Sequence, residues 1–259
     1  MKAYVFHPFF SELIMKISIA LVLTLTLCSV AGAQTSAVIA SPSAAPASAK
    51  ELTPADAAKA ALAAHGGDKF KKLATLVLKG SVDLNVSNQI MPGAFSSALS
   101  GNKYYFEITT PLQSFKQVSD GQQTFSSLPG IMLPPLNSIG FAVIARVGDA
   151  GYVVSEYGDG KKKGKGFRIV APDGFYTDFL IDEKTGQIKG FESAFELDSG
   201  RVITTSAAIE EVMTVEGIVV PKKYSQRFDM GGFTAYANFK IKEALVDPQM
   251  AENAFAIPK

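Results

Sequence analysis

The chain has 259 residues, 47% of them hydrophobic, with 25 basic and 24 acidic side chains and a net charge of +1. Balanced charge gives no electrostatic reason to expect nucleic acid as a partner. Two histidines and one cysteine in the whole chain argue against histidine-cluster hydrolases, metal centres and thiol catalysis.

Read from Met15, the segment MKISIALVLTLTLCSVAGAQ has a lysine, an apolar run from Ile17 to Leu27, and the small residues Ala31-Gly32-Ala33. This is the layout of a secretory signal peptide cut before Gln34. Its apolar run is shorter than the ~20 residues of a spanning helix. Residues 1–14 do not belong in such a signal, so 1–33 is read as the leader, with Met15 as the expected start. Cys28 follows Leu27 rather than a small residue, so lipid attachment is not expected. Residues 34–50, rich in Ala, Ser and Pro, read as a disordered tether. Residues 51–259 read as a single domain.

TPADAAKAALAAHGG follows. Thr53 suits an N-cap, Pro54 the first helical position, and Asp56 the positive end of the helix dipole. Gly66 supplies the left-handed residue that ends such a helix. His65, at the predicted helix C-terminus, is expected to interact with the last carbonyls. A phosphate loop would run strand, glycines, helix, whereas here helix precedes the glycines and strand follows them. Leu76, Leu78, Val82 and Leu84 alternate with Val77, Lys79, Ser81 and Asp83 and predict a strand. Further strands are expected near 103–109, 115–120 and 122–126.

Residues 128–148 break the alternation. Pro135 is placed to open a helix with Leu136, Ile139, Val143 and Val147 on one side and Phe141, Ile144 and Ala145 on the other. A helix apolar on both sides needs covering, either as ordinary core or as a plug in the mouth of a curved sheet. GDGKKKGKG at 158–166 is expected as a mobile hairpin tip. Its Lys161, Lys162, Lys163 and Lys165 are candidates for docking to anionic lipid headgroups, at ~1 kcal/mol each near the surface.

From Gly166 onward turns recur at PDG, DEKTG, DSG, VEG and MGG, the pattern of an antiparallel meander. Rows Phe175-Thr177-Phe179-Ile181, Phe191-Ser193-Phe195-Leu197 and Phe233-Ala235-Ala237-Phe239-Ile241 face one way. Asp178, Asp182, Glu192, Glu196, Asn238, Lys240 and Lys242 face the other, so one face is dry and one wet. About nine to eleven strands are expected. Neighbouring carboxylates such as Glu210-Glu211 and Asp182-Glu183 point to opposite faces of a strand and make no acid/base couple.

With its signal peptide, N-terminal helix, open meander and apolar insertion, the chain resembles the bacterial outer-membrane lipoprotein carrier superfamily (LolA/LolB-like). AAHGGDKFKKLATLVLKGSV, DEKTGQIKGFE, TVEGIVVPKKYSQRF and the closing VDPQMAENAFAIP carry the resemblance. It departs from the best-studied carriers in lacking Trp. The resemblance implies an α+β fold, mainly β: an unclosed barrel of about eleven strands wrapped on a helical lid. It also implies a periplasmic, non-catalytic carrier without cofactor or metal. Its partner would be a lipid or a lipid-modified protein, with transient contact at an anionic membrane. The cavity wall is expected from Leu76, Leu78, Tyr104, Phe106, Met132, Leu136, Ile139, Phe141, Val143, Phe195 and Phe239. Two other readings stay open: a β-module whose core is simply filled, and a carboxylate-dependent hydrolase acting on lipid or glycan.

Overall fold

The computed structural model describes residues 52–86, 89–127, 135–161, 164–196, 200, 202–229, 232 and 234–258. The proposed leader and tether, Met132, Lys162 and Lys163 lie outside the described residues.

The helix α1 (Pro54–Ala64) starts as its sequence predicts: Thr53 Oγ1 accepts from the Asp56 amide at 3.2 Å. It ends in a Schellman arrangement, Gly67 N–H bonding to Leu62 O at 2.8 Å and Gly66 N–H to Ala63 O at 3.2 Å. Its buried face is all alanine, Ala57, Ala58 and Ala61, which lets the helix lie close against the sheet. One further turn, α2 (Asp68–Lys71), precedes the sheet and buries Phe70.

Among the described residues twelve strands form one antiparallel sheet. In chain order they are β1 (Leu76–Val86), β2 (Gln89–Ser100), β3 (Lys103–Thr109), β4 (Ser114–Ser119), β5 (Thr124–Ser126) and β6 (Val153–Glu156), then β7 (Gly166–Val170), β8 (Tyr176–Ile181), β9 (Ile188–Glu196), β10 (Val202–Val215), β11 (Ile218–Asp229) and β12 (Thr234–Val246). Their spatial order is β5-β4-β3-β2-β1-β12-β11-β10-β9-β8-β7-β6. The chain therefore begins mid-sheet, walks out to one edge, crosses to the opposite edge, and walks back until β12 pairs with β1. The two edges, β5 and β6, do not pair, so the sheet stays open. This is the expected open, lid-covered fold, with twelve strands in place of about eleven.

The dry face is continuous across the centre, where Phe239 meets Phe95 edge-on at 5.0 Å and stacks on Tyr224 at 4.7 Å. Burying such rings is the main favourable contribution to folding, at roughly 1.5–3 kcal/mol per large side chain.

Two expectations about the outer face change. Asp178 points outward as its strand parity requires, yet it is buried, 1% exposed. Arg168 grips it through two hydrogen bonds of 2.8 and 2.9 Å, and the Gly158 amide donates to it at 3.0 Å. The 3-10 turn Tyr157–Gly160 has folded over this part of the outer face. For the same reason the start of the glycine–lysine loop is anchored rather than a free hairpin tip.

Candidate ligand cavity beneath the lid

The crossing from β5 to β6 carries the apolar segment. A continuous helix from Pro135 does not form: Ile139 is extended (φ −136°, ψ 164°), and only Gly140–Arg146 winds, as a 3-10 helix. Gly140 sits at φ +71°, and a β-carbon there would lie 3.2 Å from the Phe191 ring. Glycine thus allows the lid to turn directly onto the sheet. The Gly140 amide donates to Thr177 Oγ1 at 3.0 Å, and Thr177 is hydrogen-bonded to Ser193 at 2.9 Å. At the other end, Lys71 Nζ donates to Val147 O and pairs with Asp149, both at 2.8 Å. Arg146 adds a contact to Gly101 O at 3.4 Å and one to Asp149 at 3.6 Å.

His65 supports the lid from below. Its ring is fully buried, with Nδ1 2.8 Å from Val219 O and the Ile188 amide donating to Nε2 at 3.1 Å. That pair of partners fixes the tautomer with the proton on Nδ1. Burial holds its pKa below the ordinary value of 6.5, with the Val219 bond opposing the shift. The ring is a neutral clamp joining α1 to β9 and β11, not a cation on the last carbonyls of its helix. Phe141 lies edge-on to it at 4.9 Å and near Phe70 at 5.6 Å.

Between lid and sheet is a cavity of about 130 Å³. Leu76, Leu78, Phe106, Leu136, Ile139 and Phe141 are all in its wall. Tyr104, Val143, Phe195 and Phe239 are not in that wall: each is at most 8% exposed and belongs to the packed interior. Tyr104 is consumed by a hydrogen bond from Gln117 at 2.8 Å; burial raises its pKa, with the bonds to Thr124 and Gln117 opposing. The wall also contains Leu99, Phe191, Tyr224 and Phe228, which the sequence reading did not select. Phe191 lies on the predicted dry row, and Tyr224 and Phe228 share the parity of Ile218 and Val220, so a strict parity count from Ile218 finds them.

A second cavity of about 120 Å³ adjoins the first, among Phe70, Leu73, Ala145, Lys71 and Arg146. Leu76, Leu99, Phe141 and Ala142 belong to both walls. Phe141 and Ala142 are thus the lid's share of the partition between two small cavities. Of the loop lysines, Lys161 and Lys165 are exposed.

The fold and cavity define a class: an open antiparallel sheet whose dry face is covered by a lid over apolar space. No protein-family model and no curated protein matches the sequence. Among solved structures, a LolA superfamily protein from Nitrosomonas europaea is similar at 10% identity and a TM-score of 0.48, over 76% of this chain and 97% of that one. A DUF1329 family protein from Desulfovibrio piger is similar at 8% identity and a TM-score of 0.47, over 78% and 97%. A putative outer membrane lipoprotein-sorting protein domain from Vibrio parahaemolyticus gives 9% identity and 0.45, over 76% and 96%. The architecture rests on the sheet order and the lid.

Proposed function

We propose that this chain is an exported, periplasmic carrier that shields the acyl chain of a lipid or lipid-modified protein between its dry face and its lid, without catalysis. The observation that carries the reading is the apolar cavity under a lid held by a few polar ties. Apolar contact contributes roughly 0.8 kcal/mol per buried methylene, so an acyl chain is retained by burial alone. Drug-sized ligands occupy pockets of roughly 300–1,000 Å³, and the present cavity of about 130 Å³ is smaller. Loading therefore requires the lid to lift, joining the spaces on either side of Phe141. Lys161 and Lys165 would help the exposed loop rest on an anionic membrane while cargo is exchanged. Among the described residues of the larger cavity wall no carboxylate is present, so a carboxylate hydrolase has no support there. Among the described residues no helix is long and apolar enough to cross a membrane.

The filled-core reading is favoured by one observation, the complete burial of Val143 and Ile144 in the lid. Native mass spectrometry of protein purified from its own source separates the two. The carrier should emerge with co-purifying lipid at about one equivalent, and lipid-free protein that also takes up none when offered it speaks for the filled module.

A further inference from the structure

The cavity of about 130 Å³ beneath the lid is apolar except for four polar side chains. Tyr224 and Gln226, two residues apart on β11, both face it, with Thr205 of β10 and Ser97 of β2 in the same wall. Gln226 Nε2 donates to Thr205 Oγ1 at 2.9 Å, which leaves the amide oxygen of Gln226 as an acceptor. The Tyr224 ring is fixed by its stack on Phe239, 4.7 Å between centroids and 14° between planes. Tyr224 is half-buried, its hydroxyl bonds to no other described residue and is open to whatever fills the cavity, and desolvation raises its pKa. A phenol held in apolar surroundings as a proton donor calls for an acceptor on whatever enters.

The charge of that acceptor is constrained too. Among the described residues in this wall none is charged. Lys71 and Arg146 line only the smaller cavity, where Asp149 already pairs with both. A carboxylate moved into the larger cavity would lose its hydration for neutral donors alone, a steep cost. An ester carbonyl or a hydroxyl loses far less water and is matched by one phenol O–H and one amide oxygen.

We infer that the cavity selects acyl chains bearing an uncharged ester or hydroxyl group, through Tyr224 and Gln226, and discriminates against free fatty-acid anions. This rests on the carrier reading and adds to it the chemistry of the group that follows the chain.

The test is displacement of the neutral dye N-phenyl-1-naphthylamine from the full chain at about pH 8, where a fatty acid is ionised. The competitors are 1-monopalmitoylglycerol and palmitate. The glycerol ester should displace dye at a concentration at least about tenfold lower than palmitate, the equivalent of one to two hydrogen bonds. Tyr224→Phe and Gln226→Leu should each reduce that preference by about threefold or more, read within each variant as the ratio of the concentrations at which the two lipids displace the dye. Equal displacement by palmitate, or a preference unchanged in both variants, overturns the inference and leaves the carrier reading standing. Failure of the parent to bind dye and either lipid overturns both.

Discussion

Gly66 stands at φ +117°, and a β-carbon there would lie 2.9 Å from the Ile218 side chain and 3.0 Å from the Gly217 carbonyl oxygen. Both the backbone and the space select glycine. Gly66→Val should therefore cost ~1 kcal/mol or more, read as a lowered urea midpoint with an unchanged slope. His65 beside it gives a pH signature. The folded state holds the imidazole neutral, whereas the unfolded chain protonates it near 6.5. The unfolded state therefore binds the extra proton, and stability is full above about 6.5 and falls as pH drops toward the depressed folded value. Urea unfolding at about pH 7.5 and 5.5 should show this loss, and His65→Gln should flatten it; a parent as stable at the lower pH would refute the neutral clamp. The helix cap is legible in sequence because Thr53, Pro54 and Gly66 act on their near neighbours. The role of His65 is not, because its partners Val219 and Ile188 lie 154 and 123 residues away.

At the scale of elements, the apolar segment shows where periodicity misleads. Pro135 and a run of large side chains read as a helix, but Gly140 and its tie to Thr177 impose a tight turn onto the sheet. That tie is itself testable. Thr177→Val keeps the shape of the side chain and removes the acceptor of the Gly140 amide and the partner of Ser193. Leaving those buried groups unpaired should cost about 1–3 kcal/mol. Amide hydrogen exchange should accelerate at Gly140 and through Gly140–Arg146 while β1 and β12 remain protected; acceleration across the whole sheet would mean that the lid is not a separable unit. The sequence also hides β2, which runs through Pro92 and Gly93. Its pairing with β3 begins only at Ala94, so Pro92 sits where one side of the strand has no neighbour, the place where a sheet tolerates proline. The predicted DSG and MGG turns fall largely outside the described residues, but the hairpins joining β7 to β8, β8 to β9 and β10 to β11 were legible because each depends on a local turn. The closure of β1 on β12 was not, since no local signal specifies a pairing between the two ends of the domain.

For the molecule as a whole, the decisive property is that lid and sheet meet across incompletely filled space. Six of the ten described candidates for the wall line the cavity, and the other four are packed in the interior. Alternation predicts that a residue faces inward but not whether another side chain already covers it. Leu136 is the best place to separate those cases: it is half-buried, lines the larger cavity, and precedes the buried ring contacts of Phe141. Leu136→Glu puts a carboxylate where no cation lines the wall, and a buried unpaired charge is expensive. Lifting the lid hydrates the charge without disturbing the β1–β12 pairing at the sheet centre. The variant should keep its β-rich circular dichroism spectrum while losing the neutral dye, because the dry face is then open to water. Phe141→Glu tests the same partition but removes the contacts with His65 and Phe70, so it should lower stability as well. A Leu136→Glu protein that unfolds outright places the lid within the core and favours the filled module. One that folds and binds dye like its parent shows that the lid does not guard the cavity.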